Sequence, residues 1–326
     1  MGSVTRDPDS GVWRVTSHGA AVQVLASPVW TTSRMVPEER HGRRRPFLSN
    51  VMLYAEPDLH RTLRSITGSV LSRDSVRSMV PAMQEIAGRN LPGSGCRTDS
   101  WDEFAERVPM ELLGTLLGID IGTCEQFAPH LNTLSAVLHG SGAVEAPASV
   151  RLALIKMVHF FMRLVKERSA DPREDLVSRL LSSRLPSGEG MDPTHVVSTA
   201  ILLFIAGQVT TAPVLRRVLP APAGGSAGWD AVIEETLRLH PPQALAPRHA
   251  LADTMVDGQS IERGSTILIS LPDANRDAAV FSDPATFVPD RHPNSHLSFG
   301  FGRHYCLGAG VARQLVSVVL GVTRES

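Results

Sequence analysis

Residues 299–313 read FGFGRHYCLGAGVAR and set a single cysteine, Cys306, among Gly300, Gly302 and Gly308. Glycines let a backbone come close to a flat partner and take dihedrals that other residues resist. A helical pattern of apolar residues follows directly, at Leu307, Val311, Leu315 and Val318. A cysteine placed there meets unpaired backbone N–H groups and the positive end of a helix dipole. Both favour the thiolate, the form that binds metals. A lone cysteine is more often a buried structural residue, so the rest of the chain has to decide between the two.

The chain has 326 residues, 42% hydrophobic and 20% charged, with a formal net charge of −1. That charge balance offers nucleic acid no electrostatic attraction. The basic run Arg43-Arg44-Arg45 reads as a solvated loop. Cys96, Cys124 and Cys306 are too widely spaced for a disulfide framework or a zinc site. No secretory signal is visible, and the most apolar run, 200–206, is short for a bilayer. The expectation is therefore a cytoplasmic protein without a membrane partner.

Spacings of three and four predict helices at 57–72, 101–118, 127–139, 147–168, 174–185, 193–217 and 229–239. Short strands are expected at 11–16, 254–257 and 266–271, the last two forming a hairpin around Gly258 and Gly264. Residues 273–298 are rich in Asp, Asn, Pro and His without a sustained period, as functional loops often are. The fold class is mainly α with a small β component, in a single domain over 1–326.

Two further features stand near the cysteine. Glu235 and Arg238, in VIEETLRLHPP, lie three apart on one helix face. Arg291, in FVPDRH, precedes Cys306 by 15 residues. With them the chain resembles the cytochrome P450 superfamily, in its bacterial, heme-thiolate form. Phe299, Gly300, Gly302, His304, Cys306 and Gly308 match the heme-binding signature. The resemblance implies heme b (iron-protoporphyrin IX) with Cys306 as the axial iron ligand, and Glu235, Arg238 and Arg291 as a structural brace. AEPDLHRTLR (55–64) and PRHALAD (247–253) resemble segments whose basic residues meet the heme propionates. That adds His60, Arg64 and Arg248 to His304 as cofactor contacts, and Arg does pair bidentately with carboxylates. ANRD (274–277) is another stretch shared with the superfamily.

ILLFIAGQVTTAPVL (201–215) matches the helix on the far side of the heme, with Ala206 and Gly207 lining the cofactor. It departs at one position: relatives carry an acid before the threonine, where this chain has Val209, preceded by Gln208. Thr210 and Gln208 are the catalytic candidates, Thr210 as a hydrogen-bond donor and Gln208 as a holder of water. Loss of general acid help costs ~10²–10⁴ in rate. Pro213 should kink or end this helix near Ala212. The helix that relatives carry before the Glu-x-x-Arg helix has little room here, and both ends look short against the superfamily pattern. That suggests an open pocket, completed by a second copy or a partner. Leu203, Val209, Leu245 and Ala246 are pocket candidates suited to an apolar substrate.

The resemblance implies a monooxygenase that hydroxylates, epoxidises, desaturates or couples an organic small molecule, free or carrier-bound, in bacterial secondary metabolism. Ferredoxin and ferredoxin reductase would be its electron donors. Val209 motivates an alternative: peroxide-driven or non-redox chemistry such as dehydration, isomerisation or cyclisation. The reduced length motivates a third, a non-catalytic helper subunit, against which the retained Cys306 argues.

Overall fold

Short β-branched runs build a small sheet, and long amphipathic runs build the helices around it. The structure, a computed structural model, describes residues 2–32, 51–55, 57–93, 100–138, 148–184, 188, 190–220 and 228–325. The Arg43–Arg45 run, Cys96 and most of the 220–228 loop lie outside the described residues. The chain divides into two compact units, 1–35 with 217–309 and 36–216 with 310–326.

The first unit holds a five-stranded sheet in the order β1-β2-β7-β4-β3. Its strands are β1 (Val4–Arg6), β2 (Trp13–Val15), β3 (Trp30–Thr31), β4 (Leu245–Ala250) and β7 (Thr266–Ser270). β2 runs parallel to β7, with Trp13 opposite Ile267 and Val15 opposite Ile269. Val15, Ile267, Ile269 and Ala250 are wholly buried and pack with Ala21 and Val24 of helix α1 (His18–Ala26). The expected hairpin is corrected here. β5 (Thr254–Val256) pairs with β6 (Gln259–Ile261), not with β7. Asp257 (φ 47°) and Gly258 (φ 77°) supply the two left-handed residues that close a two-residue hairpin turn. That turn leaves β7 free to pair with β2 and β4.

The second unit is helical. Its elements are α2 (Pro57–Val70), α3 (Arg73–Ser78), α4 (Val80–Arg89), α5 (Trp101–Leu117), α6 (Ile121–Phe127), α7 (Leu131–Leu138), α8 (Ala148–Ala170), α9 (Leu176–Ser182) and α10 (Pro193–Val218), whose last two residues belong to the first unit. The first unit adds α11 (Gly228–Leu239) and α12 (Leu271–Ala274), and α13 (Ala309–Glu325) closes the chain. Ser100 caps α5 by accepting from the Glu103 N–H, and Gly118 ends it at φ 71°. A side chain at 118 would be strained at this φ, and its Cβ would run into the Asp175 carboxylate.

Of the kink or end expected at Pro213, the end does not occur: α10 runs on to Val218. Proline in a helix interior costs about 3 kcal/mol. Burial of Ala212, Val214, Leu215 and Val218, with ion pairs from Arg216 to Asp102 and Glu106, offsets it. By length and composition α10 could cross a membrane, yet 61% of its most apolar window is buried within the protein, as in a core helix. Residues 219–227 separate α10 from α11.

A buried ion pair joins Arg168 of α8 to Asp175, the residue that caps α9. Arg168 also donates to the Gly118 carbonyl at 3.1 Å, and Asp175 accepts from the Ser178 N–H at 2.7 Å. Asp175→Ala strands the Arg168 charge in the interior and should lower unfolding free energy by about 3–5 kcal/mol, measured by urea denaturation. A loss below 1 kcal/mol would mean that the pair behaves as a surface pair.

Candidate active site

In the first unit, the chemistry begins with a carboxylate that has no exposure to water. Glu235 and Arg238 of α11 are both fully buried. Arg238 donates to both Glu235 oxygens at 2.8 Å and extends its remaining N–H groups to the carbonyls of Asn275, Pro284 and Thr286. Arg291 donates to Glu235 at 3.1 Å, and the Val288 N–H does so at 2.9 Å. The structure brings this expected triad together. Burial pushes the Glu235 carboxyl up, but the bonds from Arg238, Val288 and Arg291 outweigh it and hold its pKa below the usual value.

Asn275 carries the brace onward, a role that sequence reasoning did not assign although it quoted the residue within ANRD. Its carbonyl receives Arg238, its Oδ1 accepts from the Leu297 N–H at 2.7 Å, and its Nδ2 donates to Ser298 Oγ at 2.9 Å. Ser298 in turn donates to the Leu237 carbonyl of α11 at 2.6 Å. The cysteine loop starts at the next residue. The Gly300 N–H donates to the Leu297 carbonyl, and the Cys306 N–H to the Phe299 carbonyl at 2.7 Å. Gly300 and Gly302 have φ of 71° and 67°. A Cβ at Gly302 would sit 2.7 Å from the Leu25 carbonyl oxygen of α1. Cys306 and Cys124 are both free thiols, but Cys306 is exposed, whereas Cys124 is buried against Gly114 with its thiol pushed up to about 12 by burial. Helix α13 begins three residues beyond Cys306, at Ala309.

Arg248 of β4 is buried, and its guanidinium donates to the Pro247 carbonyl at 2.8 Å. Burial and the neighbouring Arg303 bring its pKa down to about 10. No carboxylate pairs with either arginine among the described residues; Arg303 reaches only the Trp30 carbonyl. A buried cation without a counter-ion fits an anionic group brought by a ligand. Arg303 was not singled out from sequence, although it stands between Gly302 and His304 in the quoted stretch. Leu245 and Ala246 are half-buried on β4, and His304 ends the short turn Gly302–His304.

In the second unit, His60 is buried and Arg64 half-buried, one turn apart on α2. The faces of α10 differ. Leu203, Ala206, Val209 and Thr210 are half-exposed at helical spacing, so they share one open face. Gln208 is buried, and its amide donates to the Glu106 carbonyl (2.9 Å) and carboxylate (2.8 Å) on α5. Gly207 lies against the same helix: a Cβ there would meet Leu113 at 2.8 Å. Thr210 Oγ1 donates to the Ala206 carbonyl at 2.7 Å.

A family model described as cytochrome P450 matches residues 229–323, the span that holds the Glu235 brace and Cys306. Over 330 residues the chain is 31% identical to Cytochrome P450-SOY of Streptomyces griseus, covering 95% of this chain and 77% of that protein. It is 28% identical to erythromycin C-12 hydroxylase of Saccharopolyspora erythraea, covering 93% and 79%. Among solved structures, a mutant of P450 EryK in complex with erythromycin B superposes with a TM-score of 0.84 at 27% identity, covering 98% of this chain and 84% of that one. The chain belongs to the cytochrome P450 family. It is an oxidoreductase of the P450 type, and heme iron is that family's cofactor.

The low Glu235 pKa ties stability to pH. A carboxylate whose folded pKa lies below its unfolded one stabilises the fold above the usual carboxylate range. That contribution disappears as pH falls through the folded value. Glu235→Gln should therefore be less stable at pH ~7 by about 3–5 kcal/mol. Its stability should also fall less steeply than the parent's below pH ~4.5. Denaturant melts at several pH values check this; parallel profiles would contradict it.

Proposed function

We propose that the chain binds heme b with the Cys306 thiolate as axial iron ligand and oxidises an apolar organic molecule in bacterial secondary metabolism. The observation that carries this reading is the exposed Cys306 on a loop whose backbone is tied at both ends and braced from a buried ion pair. Heme b supplies redox chemistry at its iron, driven by electrons that a ferredoxin and its reductase deliver.

The chain's own residues hold and orient the group. Arg248, with no carboxylate partner of its own, takes a propionate, and Arg303 beside it adds to the positive field. His304, His60 and Arg64 are the further propionate contacts. Phe299, Gly300 and Gly308 leave room for a flat ring against the backbone; a Cβ at Gly308 would lie 4.0 Å from Cys306 Sγ. By the family resemblance the apolar substrate contacts are Leu203 and Val209 of α10 and Leu245 and Ala246 of β4, each half-buried in its own unit. Ala206 faces the cofactor from α10, whereas Gly207, expected beside it, is taken up by its close approach to Leu113 of α5. The relatives named for erythromycin chemistry support the substrate class.

Proton handling is where this chain differs. Thr210 holds its hydroxyl proton on the Ala206 carbonyl, so it must break that bond to donate elsewhere. Gln208 commits its N–H₂ to Glu106 and keeps only a buried, unpartnered Oε1 for a water. Val209 has nothing to titrate. These three observations favour a second reading, in which protons come with the oxidant, as with peroxide, or are not needed.

Heme-loaded protein should give the red-shifted carbon monoxide band of a thiolate-ligated iron, and Cys306→Ser should abolish that band. An unchanged spectrum in the variant would exclude Cys306 as the ligand. Val209→Glu should raise the turnover rate toward the ~10²-fold that a general acid contributes, and with it the product formed per electron supplied by a ferredoxin system. No gain in coupling, with full turnover in peroxide alone, would select the second reading.

A further inference from the structure

Helix α8 has two unlike sides. One packs on α10, where the Phe161 and Phe204 rings lie 6.5 Å apart. The other opens into a groove of about 1030 Å³, walled by α6 and the turn Ala128–His130. Ligand sites in proteins commonly enclose about 300–1,000 Å³. None of the described lining residues belongs to α10.

The groove's chemistry is one-sided. Lys156, His159 and Arg163 recur at three and four residues along α8 and so form one row. His130 faces them across the groove, and among the described lining residues there is no carboxylate. From 149 to 165 the helix carries no Asp or Glu at all. The acid nearest on α6, Glu125, is engaged elsewhere, with Arg107 of α5 at 2.6 Å. Beside this basic row lie large apolar side chains that water should not favour. Leu152 is 52% and Met162 56% exposed, and the edge of Phe160 meets Phe127 of α6 at 6.0 Å. Two fixed cations next to an apolar floor match a ligand that is itself divided, oil at one end and negative at the other.

We infer that this groove is a second binding site, apart from the Cys306 loop, for an amphipathic organic anion: an apolar chain ending in a carboxylate or phosphate. The apolar chain lies along Phe127, Phe160 and Leu152. The oxyanion pairs with Lys156 and Arg163. Neither the heme nor the substrate reading enters this argument, so the site stands or falls separately from them.

Calorimetry on heme-loaded protein tests it with four ten-carbon probes: decanoate, decyl phosphate, decanol and decylamine. Both anions should bind, and decanol and decylamine should bind at least tenfold more weakly. Lys156→Gln/Arg163→Gln should weaken the anions by roughly tenfold, the modest loss expected of two exposed charges. Leu152→Gln should weaken them through the apolar end. Preference for one anion over the other tells a carboxylate ligand from a phosphate one. The heme absorption spectrum, recorded in parallel, separates this groove from the space beside the heme. Anion binding that shifts that spectrum with the same affinity and ignores the α8 substitutions would overturn the inference. So would equal binding of all four probes, or no binding of the anions.

Discussion

The bond between Glu235 and Arg238 is the constraint on which the cysteine loop depends. A buried ion pair is by itself weak evidence of stability, because removing two charges from water costs several kcal/mol for each ion. Here the cost is met by full use of both groups. Glu235 accepts from Arg238, Arg291, Asn294 and the Val288 N–H, and Arg238 also reaches three carbonyls. Those carbonyls belong to an aperiodic stretch whose own backbone bonds are local turns, three or four residues apart. Arg238 does for residues 275–286 what a ladder does for a strand: it supplies their acceptors with donors. Asn275 then passes the position of that stretch to Leu297 and Ser298, one residue short of the loop.

Much of this was legible in the sequence because the residues that matter are rare types at fixed spacings. Glu235, Arg238, Arg291 and the glycines around Cys306 could be named from letters alone. The long helices were legible too, since their apolar period survives over many turns: 193–217 was expected and Pro193–Val218 is found. What escaped was non-local. The hairpin partner of β5 was misjudged because β6 is three residues long and carries one buried apolar residue, Ile261. The pairing of β2 with β7 joins residues more than 250 positions apart, and nothing in either segment signals it. The helix end expected at Pro213 as one of two outcomes is absent for a related reason. Local propensity was weighed without the packing and ion pairs that α10 finds in space.

The same lesson applies inside the motif on α10. Letter by letter, Ala206, Gly207, Gln208 and Thr210 read as one chemical unit, but helical geometry divides them. Gly207 and Gln208 turn toward α5, the first to let Leu113 approach and the second to bind Glu106. Val209 lies nearly opposite Gly207 around the helix, and Ala206, Val209 and Thr210 are half-exposed. Glu106 could not have been found from the motif, because its connection to Gln208 spans 102 residues. A single clue existed: a buried glutamine amide needs partners, and an apolar helix cannot provide them.

This division changes what a substitution in the motif means. Changes at Gly207 and Gln208 act first on the contact between α10 and α5. A lost activity there would report displaced helices before it reported lost chemistry. Changes at Val209 and Thr210 touch no such contact, so their effects are read more directly as chemistry on the open face. Arg216 reinforces the point, since it binds the same Glu106 carboxylate from two turns further along α10. Gln208, Glu106 and Arg216 thus act as one clamp on α5. The open face can vary, as Val209 shows, while the opposite face keeps the helix where it is.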